Sequence, residues 1–98
     1  MTFSVAARSA DGDWWGVAVA SRCLAVGRAV PAAEVGVGAV ATQARCNLTY
    51  KRQGLDALRS GRTASEAIAA LVIDDDLRDH RQVGVVDRHG GAATYTGP

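Results

Sequence analysis

The chain is poor in several things at once. Its 98 residues contain one lysine (Lys51), two prolines, two cysteines and five aromatic side chains. Every apolar run is broken by Arg, Pro or Gly well short of the ~18 residues that a membrane-crossing helix needs, so no membrane association is expected. No charged segment followed by an apolar one opens the chain, and a secretory leader is not expected either; the reading is a cytoplasmic protein. Cys23 and Cys46 stand alone, without CxxC spacing. That excludes a disulfide framework and fits reduced thiols in the cytosol. His80 and His89 have no ligand spacing, so neither a metal nor another cofactor is expected. A net charge of +1 and a lack of interleaved aromatics speak against a nucleic-acid partner.

What remains is alanine and valine. Nineteen Ala and twelve Val supply nearly two thirds of the apolar residues, the mark of a GC-rich bacterial gene. Side chains this small reach native packing density only if the layers of the fold approach closely. A chain of this length also buries a smaller fraction of its surface than a larger domain does.

The first half reads as strands. Phe3, Val5 and Ala7 alternate with Thr2, Ser4, Ala6 and Arg8, a period of two. Asp11-Gly12 marks a hairpin turn, and Trp14–Ala20 is a second strand. Ser21–Pro31 reads as irregular, with Gly27 and Pro31 as breakers. Val35–Thr42 is a third strand, apolar enough to be buried on both faces. The middle reads as helices. Thr49–Ser60 carries Leu55 and Leu58 and stops at Gly61. Thr63-Ala64-Ser65-Glu66 is a capping box that starts a second helix with Ile68, Leu71 and Val72 on one face. Asp74, Asp75 and Asp76 are read as its solvated end, where their charge opposes the helix dipole. Gln82–Asp87 and Ala92–Thr96 form a closing hairpin across Arg88–Gly91. The expected architecture is α+β: one antiparallel sheet with two helices on one face. Its other face is left bare, although the third strand is buried on both sides. A layer is therefore expected from another sheet, a partner subunit or more polypeptide, and the ending at Thr96-Gly97-Pro98 favours the last.

Several positions carry chemistry. Thr2 follows Met1, a context in which the methionine is readily removed. An N-terminal threonine combines a hydroxyl nucleophile with an amine that can serve as its general base. Gly36-Val37-Gly38-Ala39-Val40-Ala41 matches a dinucleotide fingerprint, but its glycines fall inside a strand and not at a strand–helix turn. They read as sites of close backbone approach. Thr42 and Gln43 end a buried strand and are candidates for stabilising an oxyanion. Asn47 or Thr49 is the N-cap of the first helix, with Asn47 also a candidate substrate contact. Ser21 and Arg22 end the second strand, where a cation can bind a substrate carboxylate or lower the pKa of a nearby amine. Glu34, at the start of the third strand, reads as exposed.

The blocks Thr2-Phe3-Ser4-Val5, Gly16–Arg22, Leu24–Gly27, Val30-Pro31, Gly36–Gln43, Arg81–Asp87 and Thr96-Gly97 resemble the family catalogued as domain of unknown function 1028. Asn47, Tyr50, Gly54-Leu55 and the capping-box helix continue the likeness over essentially the whole chain. Leu48 departs from the family's usual proline, and Lys51-Arg52 from its usual Gly-Pro. The resemblance implies an N-terminal-nucleophile hydrolase fold, an αββα sandwich, with residues 1–98 as its N-terminal portion. It also implies Thr2 as nucleophile and base, with the Ser21-Arg22 and Thr42-Gln43 strand ends shaping the site, and a small amide or peptide-like substrate. Homo-oligomerisation or a C-terminal half would complete the sandwich. A non-catalytic binding or assembly domain, or an inactive gene fragment, stays open beside the hydrolase reading, because fold alone does not fix function.

Overall fold

The computed structural model describes all 98 residues. Ten elements follow one another: β1 (Thr2–Arg8), β2 (Trp15–Ser21), α1 (Val26–Ala29), β3 (Pro31–Glu34), β4 (Gly38–Ala44), α2 (Thr49–Arg59), α3 (Ala64–Val72), a 3₁₀ turn (Arg78–His80), β5 (Arg81–Asp87) and β6 (Ala92–Thr96). They form a mixed α/β fold with two antiparallel sheets. β1 and β2 make a two-stranded sheet, and β3-β4-β5-β6 make a four-stranded one in sequence order.

The expectation of a single sheet is thus corrected. The N-terminal hairpin does not extend the larger sheet; it packs across it, with β1 against β4 and β5 and β2 against β3 and β4. The strand after the hairpin is β3, which begins at Pro31, read as a breaker that ends an irregular stretch. It supplies an edge that pairs Pro31–Glu34 with Gly38–Ala41. The segment read as one strand over Val35–Thr42 is a turn followed by β4. Gly36 sits at φ +73° and the Val37 amide donates to the Glu34 carbonyl. A short helix, α1, also lies within the stretch read as irregular.

α2 and α3 cover one face of the larger sheet. Val40, Val83 and Val85 from the sheet meet Tyr50, Leu58, Ala64, Ala67, Ile68 and Leu71 from the helices in one core. The helix–sheet distance is set by Gly54. A methyl group there would stand 3.1 Å from Val40, so the mid-helix glycine, despite its poor helix propensity, lets α2 lie on β4. Ala39 and Ala41 fill the sheet's other face and are buried beneath the hairpin. β4 is therefore sandwiched, as its apolar sequence predicts, and small residues on both sides let the layers close.

The capping box forms as expected: the Thr63 hydroxyl accepts from the Glu66 amide and the Glu66 carboxylate accepts from the Thr63 amide. The start of α2 differs from expectation: neither Asn47 nor Thr49 is its N-cap, which is Leu48 and carries no side-chain cap bond, while the Asn47 side-chain oxygen, one residue earlier, accepts from the Thr49 amide and hydroxyl. Two acidic residues differ from expectation. Asp75 is not a solvated helix end: its side chain is about 10% exposed and paired with Arg81. Glu34 is half-buried and paired with Arg59.

Candidate functional site

The period-two alternation in β1 sets which side chains meet the second sheet. Thr2, Ser4, Ala6 and Arg8 turn inward, and Phe3, Val5 and Ala7 turn outward. In the antiparallel register Thr2 lies opposite Ser21, the last pair of the hairpin. Their hydroxyls are 3.0 Å apart. The Ser21 hydroxyl also lies 3.4 Å from the Met1 carbonyl oxygen and accepts from the Cys23 amide. Met1 itself is 88% exposed. Its removal would leave the Thr2 amine beside the Ser21 hydroxyl, at an open strand end.

Gln43 joins this end of the hairpin to the larger sheet. Its side-chain amide donates to the Thr2 carbonyl (3.2 Å) and to the Gln82 side chain, and its oxygen accepts from the Ser4 hydroxyl. Gln82 in turn donates to Thr96. A polar row therefore runs Thr2–Gln43–Gln82–Thr96 across one end of both sheets, with Ser4 alongside. Gln43 is nearly fully buried, and these bonds satisfy the amide that burial removes from water.

Three of the residues singled out in the sequence are brought together: Thr2, Ser21 and Gln43. Thr42, one residue before Gln43, points to the opposite face by the same alternation. Its hydroxyl reaches the Asn47 carbonyl at 3.5 Å, and its carbonyl accepts from the Cys46 thiol. The Thr42 amide is committed to the Val30 carbonyl. Thr42 and Asn47 therefore sit together on the helix side, away from Thr2. Arg22 is exposed one residue past β2 and makes no hydrogen bond or ion pair. Sequence reasoning passed over Ser4 and Gln82. Ser4 was available to it, since period two puts residue 4 on the face of residue 2. Gln82 was not, because only the β4–β5 register sets it opposite Gln43. Beyond Gln82, Ala44 leaves β4 with φ +67°, a left-handed conformation that costs a non-glycine residue roughly 1 kcal/mol.

A second polar cluster lies between α2 and β5. The buried Tyr50 hydroxyl donates to Asp75, and Arg81 grips the same carboxylate through Nε (2.8 Å) and Nη2 (3.2 Å). Arg81 also donates to the Arg45 carbonyl. The Arg81 bonds, followed by that of Tyr50, hold the Asp75 carboxyl well below its ordinary range. Burial, reinforced by Asp75, pushes the Tyr50 phenol well above its own. Every Asp75 lone pair has a partner, and this cluster ties α2, the 3₁₀ turn and β5 together. Asp87 does the same at the far end. Burial disfavours its charge, but amides of Ala64, Gly91 and His89 outweigh that and lower its pKa.

The architecture is a hairpin sheet laid across a helix-backed sheet, with a polar row beginning at the second residue. The chain belongs to the family of unknown function DUF1028, whose model matches residues 2–98. It is similar to the crystal structure of a Silicibacter pomeroyi protein of the same family designation, with 32% sequence identity and a TM-score of 0.92. The match covers 98% of this chain and 45% of that one, so this chain spans less than half the length of its solved relative. No curated protein matches the chain. No helix is long and apolar enough to cross a membrane.

Proposed function

We propose that the chain carries the nucleophile of an N-terminal-nucleophile amide hydrolase, acting in the cytoplasm on a small amide or peptide-like bond. The observation that carries this reading is that Thr2, at the open end of β1, meets the Ser21 hydroxyl through its own hydroxyl and the Gln43 side-chain amide through its carbonyl. Once Met1 is removed, Thr2 Oγ1 attacks the substrate carbonyl carbon and its proton passes to the Thr2 amine. The resulting tetrahedral intermediate collapses by breaking the C–N bond, and the amine hands that proton to the leaving nitrogen. Water then attacks the ester on Thr2, with the amine again accepting the proton; the bond from the acyl carbon to Thr2 Oγ1 breaks, Oγ1 takes that proton back from the amine, and the acid departs. Gln43 is a positioning residue: both of its side-chain protons are engaged, one of them on the Thr2 carbonyl. Ser21 is placed to orient the hydroxyl and the freed amine. Thr42 and Asn47 act through the helix side, by fixing the exit from β4.

Release of amine or ammonia from a panel of small amides, together with the intact mass of the protein, tests the reading. Removal of Met1 and loss of turnover in Thr2→Ala, with partial activity in Thr2→Ser, is the expected result. Turnover that survives Thr2→Ala would sink it. The exposure of Phe3 (67%) and Val5 (58%) favours a second reading, a domain that assembles with more polypeptide or another copy and does no chemistry. A retained Met1 would select that reading, since an acylated amine cannot act as base.

A further inference from the structure

Only one orientation of the Gln43 side-chain amide suits Thr2. A primary amide has two donor protons on nitrogen and an acceptor oxygen. Gln43 uses them on three partners: Nε2 donates to the Thr2 carbonyl (3.2 Å) and to Gln82 Oε1, and Oε1 accepts from the Ser4 hydroxyl. The Thr2 carbonyl can only accept, so a half-turn of the amide would set oxygen against oxygen there. The Ser4 hydroxyl does not oppose that half-turn, because a hydroxyl accepts as readily as it donates. Gln82 does oppose it, as long as its own oxygen faces Gln43.

The strand register supplies that oxygen. Gln43 and Gln82 are direct cross-strand partners, and Gln82 and Thr96 are the next pair along the row. Gln82 Nε2 donates to the Thr96 hydroxyl at 3.1 Å, which leaves Oε1 turned toward Gln43. Thr96 is exposed, so water can replace it as the acceptor. Gln43 is nearly fully buried and Gln82 half-buried, so a Gln43 proton deprived of its partner has a cost.

We propose that Gln82 is a positioning residue for Thr2: its side-chain oxygen locks the Gln43 amide in the orientation that donates to the Thr2 carbonyl. The residue that bears both the hydroxyl and the future amine is thereby held against the end of the larger sheet. Satisfying a buried amide would not by itself require this direction of bonding. A donor at position 82 could bond the Gln43 oxygen equally well, and what it would lose is the contact to Thr2. The consequence for turnover rests on the hydrolase reading above; the orientation of Gln43 does not.

Gln82→Glu keeps an acceptor at this position, and Gln82→Lys replaces it with a donor. Each variant is read in two ways: by magnetic resonance of the Gln43 Nε2 protons and the Thr2 carbonyl carbon, and by turnover of a small amide across pH. In Gln82→Glu the Gln43 protons should exchange with water as slowly as in the unaltered protein, and kcat at the pH optimum should agree within about twofold. In Gln82→Lys that exchange should quicken about tenfold, and the Thr2 carbonyl signal should move upfield as it loses its donor. There kcat should fall about tenfold with KM little changed. Should Gln82→Lys not fold, Gln82→Met, which removes the acceptor and adds no charge, is read by the same criteria. Gln43 and Thr2 signals unchanged in the Lys or Met variant overturn the proposal. An equal loss of turnover in the Glu and Lys variants overturns it too. So do pH optima moved in opposite directions by Glu and Lys with kcat unchanged, which would make position 82 act by charge alone. If turnover survives Thr2→Ala, the hydrolase reading fails while the resonance measurements still decide the role of Gln82 in orienting Gln43.

Discussion

The two sheets are built from the same small residues and yet live in different surroundings. The four-stranded sheet is backed by α2 and α3, and six of the seven residues of β4 are buried. The N-terminal hairpin has one covered face only. Its inner positions pack on Ala39 and Ala41, while Phe3, Val5, Ala7, Gly16, Ala18 and Ala20 stand outward and exposed. Alternation in a strand fixes that two faces differ; it does not fix which one is inside. In β1 the more apolar face is the outer one. The inner face carries Thr2, half-buried with its hydroxyl on Ser21, and Ser4, which stays exposed while its hydroxyl donates to Gln43. The well-packed region holds the fold, and the thinly covered one holds the candidate chemistry.

Substitutions should separate the two regions sharply. The largest loss is expected at the buried ion pair: Asp75→Ala leaves Arg81 and Tyr50 facing an empty site and should destabilise the chain by about 3 kcal/mol or more in urea unfolding. Leu58→Ala, in the helix-backed core, should cost about 2–4 kcal/mol, whereas Val5→Ala on the outer hairpin face should change stability by less than about 0.5 kcal/mol. Equal losses at Leu58 and Val5 would mean that the outer face is covered in solution.

Acid should act on the same well-packed region. The folded pKa values of Asp75 and Asp87 both lie below the ordinary 3.8. Their stabilisation is complete above the unfolded value and is lost as the pH falls through the folded ones. Stability should therefore fall below about pH 4, and Asp75→Asn should flatten that fall; a midpoint for urea unfolding independent of pH between 5 and 2 would contradict both assignments. A gain is expected at the end of β4, where Ala44→Gly should raise stability by about 1 kcal/mol by relieving the left-handed backbone.

Legibility followed the range of the interactions. The Thr63–Glu66 box and the Asp11-Gly12 turn link residues two or three apart, and both were readable. Asp75 was not, because its partners lie 25 residues before it and 6 after it and α2 must first dock on the sheet. β3 was missed because Pro31 breaks patterns in isolation, yet at the first position of an edge strand its missing N–H is tolerated. Thr42 and Gln43 looked equivalent as polar residues ending a buried strand. Only the placement of helices on one side and the hairpin on the other directed Gln43 to Thr2 and Thr42 to Asn47.

By itself, the sequence determined the order of the seven longer strand and helix segments, the sandwiched character of β4 and the placement of Thr2 at the start of a strand. Those follow from periodicity, turn residues and side-chain size, which act locally. The tertiary structure alone decided that the hairpin forms a separate layer, that Thr2 meets Ser21 and Gln43, and that Gln82 stands opposite Gln43. Each of those depends on which surfaces pack together. Small alanine and valine side chains allow many close approaches, and backbone pairing and the satisfaction of buried polar groups select among them.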